Sequence, residues 1–283
     1  MNKKLGFIGC GNMAKAMIGG ILSSRVIENT QIIASAKSDK TISQVSQQFG
    51  IEVIKINKEV AKASDIIILA VKPQYYDEVI QEISSEINEN KIIVSIAPGK
   101  TLERLEYNFG KPIKIIRTMP NTPALVCEGI TAVCKNELVT DDEINYICDL
   151  FKGFGKTEII EERLMDAVVA VSGSSPAYIY IIIEAMADAA VLEGMPRAQA
   201  YKFAAQAVLG SAKMVLDTNK HPGELKDNVC SPGGTTIEAV RVLEEKGVRS
   251  AIIEAMKACA KKSRSMWLKK DYNLQLKEVV NLL

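Results

Sequence analysis

The chain has 283 residues, 47% of them hydrophobic and 24% charged. That balance excludes a disordered or fibrous polymer and permits one large domain or two modest ones. Basic residues number 35 against 34 acidic, a formal net charge of +1, so no global field draws the molecule to nucleic acid or to an anionic membrane. The six cysteines, Cys10, Cys127, Cys134, Cys148, Cys230 and Cys259, show no CxxC pair and no metal-finger spacing, which fits a reducing compartment and gives no metal site. The opening ten residues loosely resemble a lipoprotein signal. Their apolar stretch, Leu5 to Ile8, is shorter than the ~7–15 residues such a signal needs. No consecutive run approaches the ~18 apolar residues of a membrane span, so a cytoplasmic protein is expected.

The first half alternates short β-branched runs with helical stretches. Residues 5–8, 31–34, 51–54, 66–71, 92–96 and 113–117 read as strands, several apolar throughout as buried parallel strands are. Helices are expected at 12–23, 41–49, 58–63, 75–87 and 101–107 between them. The alternation predicts βαβ units and an open, mostly parallel sheet. Residues 129–134 and 157–160 add candidate edge strands, separated by a helix at 141–154 with a capping-box start at Thr140 and Glu143.

From about residue 164 the texture becomes helical, with expected helices at 164–193, 197–217, 235–245 and 248–267. Breakers separate them at Gly194-Met195-Pro196, His221-Pro222-Gly223 and Ser231-Pro232-Gly233-Gly234. The predicted fold is therefore an α/β Rossmann-like N-terminal domain, residues 1–162, and an all-α domain, residues 163–283. The first long helix is apolar on nearly every side around Ile179-Tyr180-Ile181-Ile182-Ile183. Such a helix must be buried, and the short helical domain predicts burial against another subunit.

The segment Gly9-Cys10-Gly11-Asn12-Met13-Ala14 joins the first strand to the first helix as G-x-G-x-x-A. Gly9 permits the tight turn, Gly11 lets the backbone approach a pyrophosphate, and Ala14 lets the helix lie close to the sheet. An NAD enzyme places Asp or Glu at the end of the second strand; here the chain reads Ser35-Ala36-Lys37-Ser38. Ser35 can donate to a 2′-phosphate and Lys37 can pair with its charge, which favours NADPH, with NADH as the alternative. The fourth, fifth and sixth strands end in Ala70-Val71-Lys72-Pro73, Ala97-Pro98-Gly99 and Thr118-Met119-Pro120-Asn121. Ligands of open parallel sheets sit at those carboxyl ends.

In the helical half, Ser172-Gly173-Ser174-Ser175-Pro176 interrupts an apolar helix, and Ser231-Pro232-Gly233-Gly234-Thr235-Thr236 opens another. The second segment combines a nest of backbone N–H groups with a helix N-terminus, an anion site suited to a carboxylate. The single histidine, His221, sits in a helix-start loop where a structural role is expected, so a His-based hydrolase has no base. Hydride reduction of an imine fits the remaining inventory of hydroxyls, dipoles and a nicotinamide cofactor.

With Val71-Lys72-Pro73, Arg117-Thr118-Met119-Pro120-Asn121-Thr122-Pro123-Ala124 and Glu224 through Thr236, the glycine loop makes the chain resemble the pyrroline-5-carboxylate reductases, in order along essentially its full length. The resemblance implies hydride transfer from NAD(P)H to the ring C=N of 1-pyrroline-5-carboxylate, giving L-proline. It implies that Thr236 hydrogen-bonds the ring nitrogen. Ser231, Gly233, Gly234 and Thr235 hold the carboxylate in that picture, with Asn228 and Glu162 nearby. Ile8, Gly9, Cys10, Gly11, Asn12, Met13, Ser35, Lys37, Asn57, Ala70, Val71, Lys72, Pro73 and Ala97 line the cofactor. It also implies homodimers through the helical domain, often assembled into decamers. Position 235 is Thr where some members have Ala, which leaves a backbone N–H contact unaffected. The thiol of Cys10, in the loop, is the one expected to oxidise. The alternatives are a β-hydroxyacid-type dehydrogenase, disfavoured because residues 164–194 carry no lysine, and a non-catalytic NADP-binding sensor.

Overall fold

In the computed structural model, which describes residues 3–281 and their side chains as far as residue 265, the chain forms two compact units. One comprises Met1–Gly173 with Cys259–Leu283, the other Ser174–Ala258. The first unit is built on strands β1 (Leu5–Ile8), β2 (Ile32–Ser35), β3 (Glu52–Ile54), β4 (Ile66–Leu69), β5 (Ile92–Ser95), β6 (Lys114–Met119), β7 (Gly129–Lys135) and β8 (Gly155–Ile159). They form one sheet in the order β3-β2-β1-β4-β5-β6-β7-β8. All neighbours are parallel except β6 and β7. The order reverses direction beside β1, which makes the β1/β4 boundary the topological switch point of the sheet.

The strands are apolar throughout because both faces are covered. On β1 and β4, Leu5, Phe7, Ile66 and Ile68 enter one core with Met17, Ile18 and Ile21 of helix α1 (Asn12–Ser23). Their neighbours Ile8, Ile67 and Leu69 enter the opposite core. That second core takes Val60 of α3 (Asn57–Ala63), Tyr76, Ile80 and Ile83 of α4 (Tyr76–Ile83) and Leu105 of α5 (Leu102–Phe109). Each fully buried Ile or Leu stabilises the fold by roughly 1.5–3 kcal/mol relative to exposure. Helix α2 (Asp39–Phe49) is capped by Ser38, whose side chain accepts from the Thr41 N–H. Helix α6 (Asp141–Phe151) starts with the expected reciprocal box, Glu143 N–H to Thr140 Oγ1 and Thr140 N–H to Glu143 Oε2.

Helix α1 is pinned by close backbone packing. A Cβ on Gly20 would lie 2.4 Å from the Phe154 Cβ and 2.8 Å from the Gly153 carbonyl oxygen. The absence of side chains on Gly20 and Gly153 is therefore what sets the depth of α1 against the turn leading into β8.

The helical stretch after the sheet starts with α7 (Met165–Val168), passes through a π-helical turn (Val169–Gly173) and continues as α8 (Ser175–Leu192). The interruption read at Ser172-Gly173 is thus a wide helical turn, not a break. It is held within the first unit: Asn121 Nδ2 donates to the Ser172 carbonyl at 3.2 Å, and Ser172 Oγ donates to the Val168 carbonyl at 3.1 Å. Asn121 also accepts from the Ile130 N–H at 2.9 Å.

The second unit adds α9 (Arg197–Thr218), α10 (Pro222–Asn228), α11 (Thr235–Glu245) and the start of α12 (Val248–Asn281). Helices α8 and α9 meet over small residues, Ala187, Ala200 and Ala204, and are tied by an ion pair between Asp188 and Arg197. Most of α8 stays uncovered: Tyr180 and Ile181 are 61% and 66% exposed. Consecutive apolar residues fall short of a membrane span, yet the helical stretch Glu162–Leu192 is long and apolar enough to cross a membrane by length and composition. Scattered small and hydroxyl residues hide this in a run-based reading.

Gly20→Ala should destabilise the first unit by about 1–3 kcal/mol through overpacking against Phe154. A lowered urea midpoint with an unchanged m-value is the expected result; an unchanged midpoint would show that α1 can retreat without cost.

Candidate functional site

The carboxyl ends of β1, β2 and β4 are stitched into one edge. The Gly9 N–H donates to the Ser35 carbonyl at 3.1 Å, and the Ala70 N–H donates to the Ile8 carbonyl at 2.8 Å. Gly9 has φ +99°, and a Cβ there would lie 2.9 Å from the Ala70 oxygen and 2.9 Å from Val71 Cγ1. Both the left-handed backbone and the close approach require glycine. Gly11 differs: it is extended (φ −73°, ψ −177°) at the N-cap of α1, and a Cβ there would meet no protein atom within 4 Å. The fold itself therefore does not require glycine at this position. The first N–H groups of α1 have no acceptor within the helix and point the same way. Open backbone at a helix N-terminus on a parallel sheet edge fits a dinucleotide pyrophosphate.

Around this edge lies a crevice of about 520 Å³. Of the cofactor residues expected from sequence, it brings together Gly9, Cys10, Gly11, Ser35, Lys37, Asn57, Ala70, Val71 and Lys72. Ile8, at the end of β1, and Ala97, just past β5, are instead buried. Asn12 and Met13 stand on the first turn of α1, and Pro73 opens the 3-10 turn before α4. Residues that sequence reasoning missed complete the wall, notably Lys55, Tyr75, Glu78 and Glu82. Lys37 lies 5.1 Å from the Tyr75 ring centroid, and Lys55 pairs with Asp39 at 2.7 Å. Glu78 and Glu82 stand four residues apart on α4, and that spacing is the one signal that could have put them on a common face.

Cys10 corrects an expectation. Its side chain is 7% exposed, its thiol donates to the Ser35 carbonyl at 3.4 Å, and burial pushes its pKa up to about 11 against a smaller opposing effect of Lys15. It packs as a small apolar group, not as a redox-active thiol.

Glu162 belongs to the first unit. Its Oε1 accepts from Arg117 at 2.7 Å and from the Leu102 N–H at 2.8 Å. The carboxylate thereby joins β6 to the start of α5, and Arg117 is buried.

In the second unit, Asn228 ends α10 and a tight turn follows. The Gly234 N–H donates to the Ser231 carbonyl at 3.0 Å, and Gly233 sits at φ +67°. A Cβ on Gly234 would lie 2.4 Å from Ser231 Oγ, so a side chain there would displace the serine hydroxyl. Gly234 is the N-cap of α11 with no side-chain cap. The N–H groups of Thr235 and Thr236 thus open a helix uncapped by any hydroxyl, beside an exposed Ser231 and a half-buried Thr236. Open N–H groups at a helix start can hold a small anion.

Comparison with known proteins covers both units. Residues 162–266 match the family described as pyrroline-5-carboxylate reductase dimerisation, and residues 4–99 match NADP oxidoreductase, coenzyme F420-dependent. The pyrroline-5-carboxylate reductase of Escherichia coli strain K12 is 56% identical over 266 residues, which cover 94% of this chain and 99% of that protein. A pyrroline-5-carboxylate reductase structure from Coxiella burnetii superposes with a TM-score of 0.88 at 32% identity, covering 94% of this chain and 99% of that one. A crystal structure of pyrroline carboxylate reductase from Plasmodium falciparum with NADP bound gives a TM-score of 0.84 at 34% identity, over 94% and 98% of the two chains. The exposed apolar helix α8 lies inside the matched dimerisation region.

At pH 8 a thiol of pKa about 11 is ionised to only about one part in a thousand. Peptide mapping after brief iodoacetamide treatment should find exposed Cys127 labelled and Cys10 intact. Labelling of Cys10 should rise about tenfold per pH unit; prompt labelling at pH 8 would contradict the burial.

Proposed function

The chain belongs to the pyrroline-5-carboxylate reductase family, and on that premise we propose which of its residues reduce the ring C=N of 1-pyrroline-5-carboxylate to L-proline. Kinship along nearly the whole chain carries the reaction; the geometry of the two units supports the roles. Bound NADPH supplies the hydride. The N-terminus of α1 and the bare backbone at Gly11 hold the pyrophosphate, while Gly9 and Ala70 keep that wall in place. Ser35, Lys37 and Asn57 line the end of the crevice that takes the 2′-phosphate, and Ala70 to Pro73 with Ala97 edge the nicotinamide end.

In the second unit the N–H group of Thr235, with the Ser231 hydroxyl, holds the substrate carboxylate beside Gly234 at the start of α11. Gly233 makes the turn that brings them round. The Thr236 hydroxyl, one residue along, holds the ring nitrogen and its proton. Asn228 supports this turn from the end of α10. A protonated C=N is already electrophilic, so these residues need only orient the ring and exclude water. Glu162, fixed by Arg117 and the Leu102 N–H, is assigned to the substrate side as a positioning group.

The uncovered apolar surface of α8 supports a homodimer built through the helical region, and we extend this to the decamer that such dimers can form. The absence of disulfides among the described residues supports the cytoplasm as the compartment.

Following NADPH absorbance after adding 1-pyrroline-5-carboxylate should show rapid oxidation with proline as product. Thr236→Ala should lower turnover on the order of 10- to 100-fold while NADPH affinity stays within about twofold. Equal loss of turnover and NADPH affinity would remove Thr236 from the substrate side.

A further inference from the structure

A hydrogen-bond chain crosses one end of the crevice and has no part in the hydride step. Ser35, 1% exposed, donates from Oγ to Asn57 Oδ1 at 2.7 Å, and Asn57 Nδ2 donates to Glu82 Oε2 at 2.7 Å. Every proton in the chain runs toward the carboxylate. The hydroxyl donor of Ser35 and one donor of Asn57 are therefore committed to the protein before any ligand arrives. Two of the three lysines of the crevice have partners as well, Lys37 the Tyr75 ring and Lys55 the Asp39 carboxylate.

The sequence lacks an acid at the end of β2, where an NAD enzyme carries one to accept from the ribose 2′-hydroxyl. The fold brings one to the same crevice from another element, since Glu82 stands on α4 and reaches Ser35 through Asn57. A carboxylate only accepts hydrogen bonds, which suits a 2′-hydroxyl donor. A 2′-phosphate is itself acceptor-only and close to doubly charged near neutral pH. It must turn Ser35 and Asn57 away from their present acceptors and sit near a like charge.

Resting on the cofactor assignment above, we propose that Glu82 is a specificity-determining residue. It weakens the hold of the crevice on the 2′-phosphorylated cofactor and keeps NADH usable. Lys37 and Glu82 then act in opposition, and the preference between the two cofactors is their difference. Like charges facing each other across a partly solvated crevice change affinity by roughly tenfold.

Titration calorimetry of NADP⁺ and NAD⁺ into the full-length protein tests this without turnover. Glu82→Gln keeps an acceptor for Asn57 and removes only the charge; it should tighten NADP⁺ by about tenfold and change NAD⁺ by less than about twofold. Glu82→Ala, which also frees the Asn57 amide, should shift the ratio in the same direction. Lys37→Ala should weaken NADP⁺ alone. If both Glu82 variants leave the ratio of affinities unchanged while Lys37→Ala weakens NADP⁺, the Glu82 inference falls and the cofactor assignment stands. Equal tightening of both cofactors overturns it too. If Lys37→Ala alters neither affinity, the crevice does not take the 2′ end, and the parent assignment falls with the inference.

Discussion

The backbone contact between Gly9 and Ala70 is the constraint on which the cofactor wall depends. With an alanine oxygen 2.9 Å from the position of any Cβ at Gly9, the first loop can close over β4 only if residue 9 has no side chain. The same loop donates to the end of β2 through the Gly9 N–H. Three strand ends are thereby fixed to one another by backbone groups, whose geometry leaves little freedom. The start of α1 follows directly, so the position of its N–H groups is set by the sheet edge. Gly20 and Gly153 hold the other end of the same helix close to the sheet. The helix is located from both termini, which is what preorganised binding of a charged group needs.

Much of this was legible in the sequence because it is local. Strands apolar on both faces announced a covered parallel sheet, and β1 and α1 fall where the pattern placed them. The fourth strand was read two residues long because Ala70 and Val71 continue its apolar character. In the fold the strand ends at Leu69, and the Ala70 N–H makes the last bond to β1. His221-Pro222-Gly223 was read as a breaker, although proline is at home in a first helical turn. The imidazole Nδ1 of His221 accepts from the Gly223 N–H at 3.0 Å and starts α10, the structural use expected for that residue.

The site was less legible where it depends on contacts between elements. Gly9, Gly11, Ser35 and Lys37 declare themselves through a loop motif and the end of a strand. Tyr75, Glu78 and Glu82 do not, since nothing in the spacing of α4 shows that it borders the end of β2. Cys10 failed in the other direction. Its loop position suggested access, whereas the fold directs its thiol to the Ser35 carbonyl. Glu162 enters the sequence reading only through the family resemblance, and the packed structure supplies Arg117 as its partner.

The path of the chain between its units bears on how the protein is made. The first unit takes back residues from Cys259 onward, and the Ser263 hydroxyl donates to Asp166 across a separation of 97 residues. The helical unit is thus an insertion within the first. On a ribosome the sheet can assemble early, but its last packing layer emerges only after α8 to α11 have been made. Contacts of such long separation form late and slowly. Meanwhile the apolar flank of α8 waits without its partner, a condition that favours aggregation. The order of synthesis therefore makes the final helix the step that completes the oldest part of the fold.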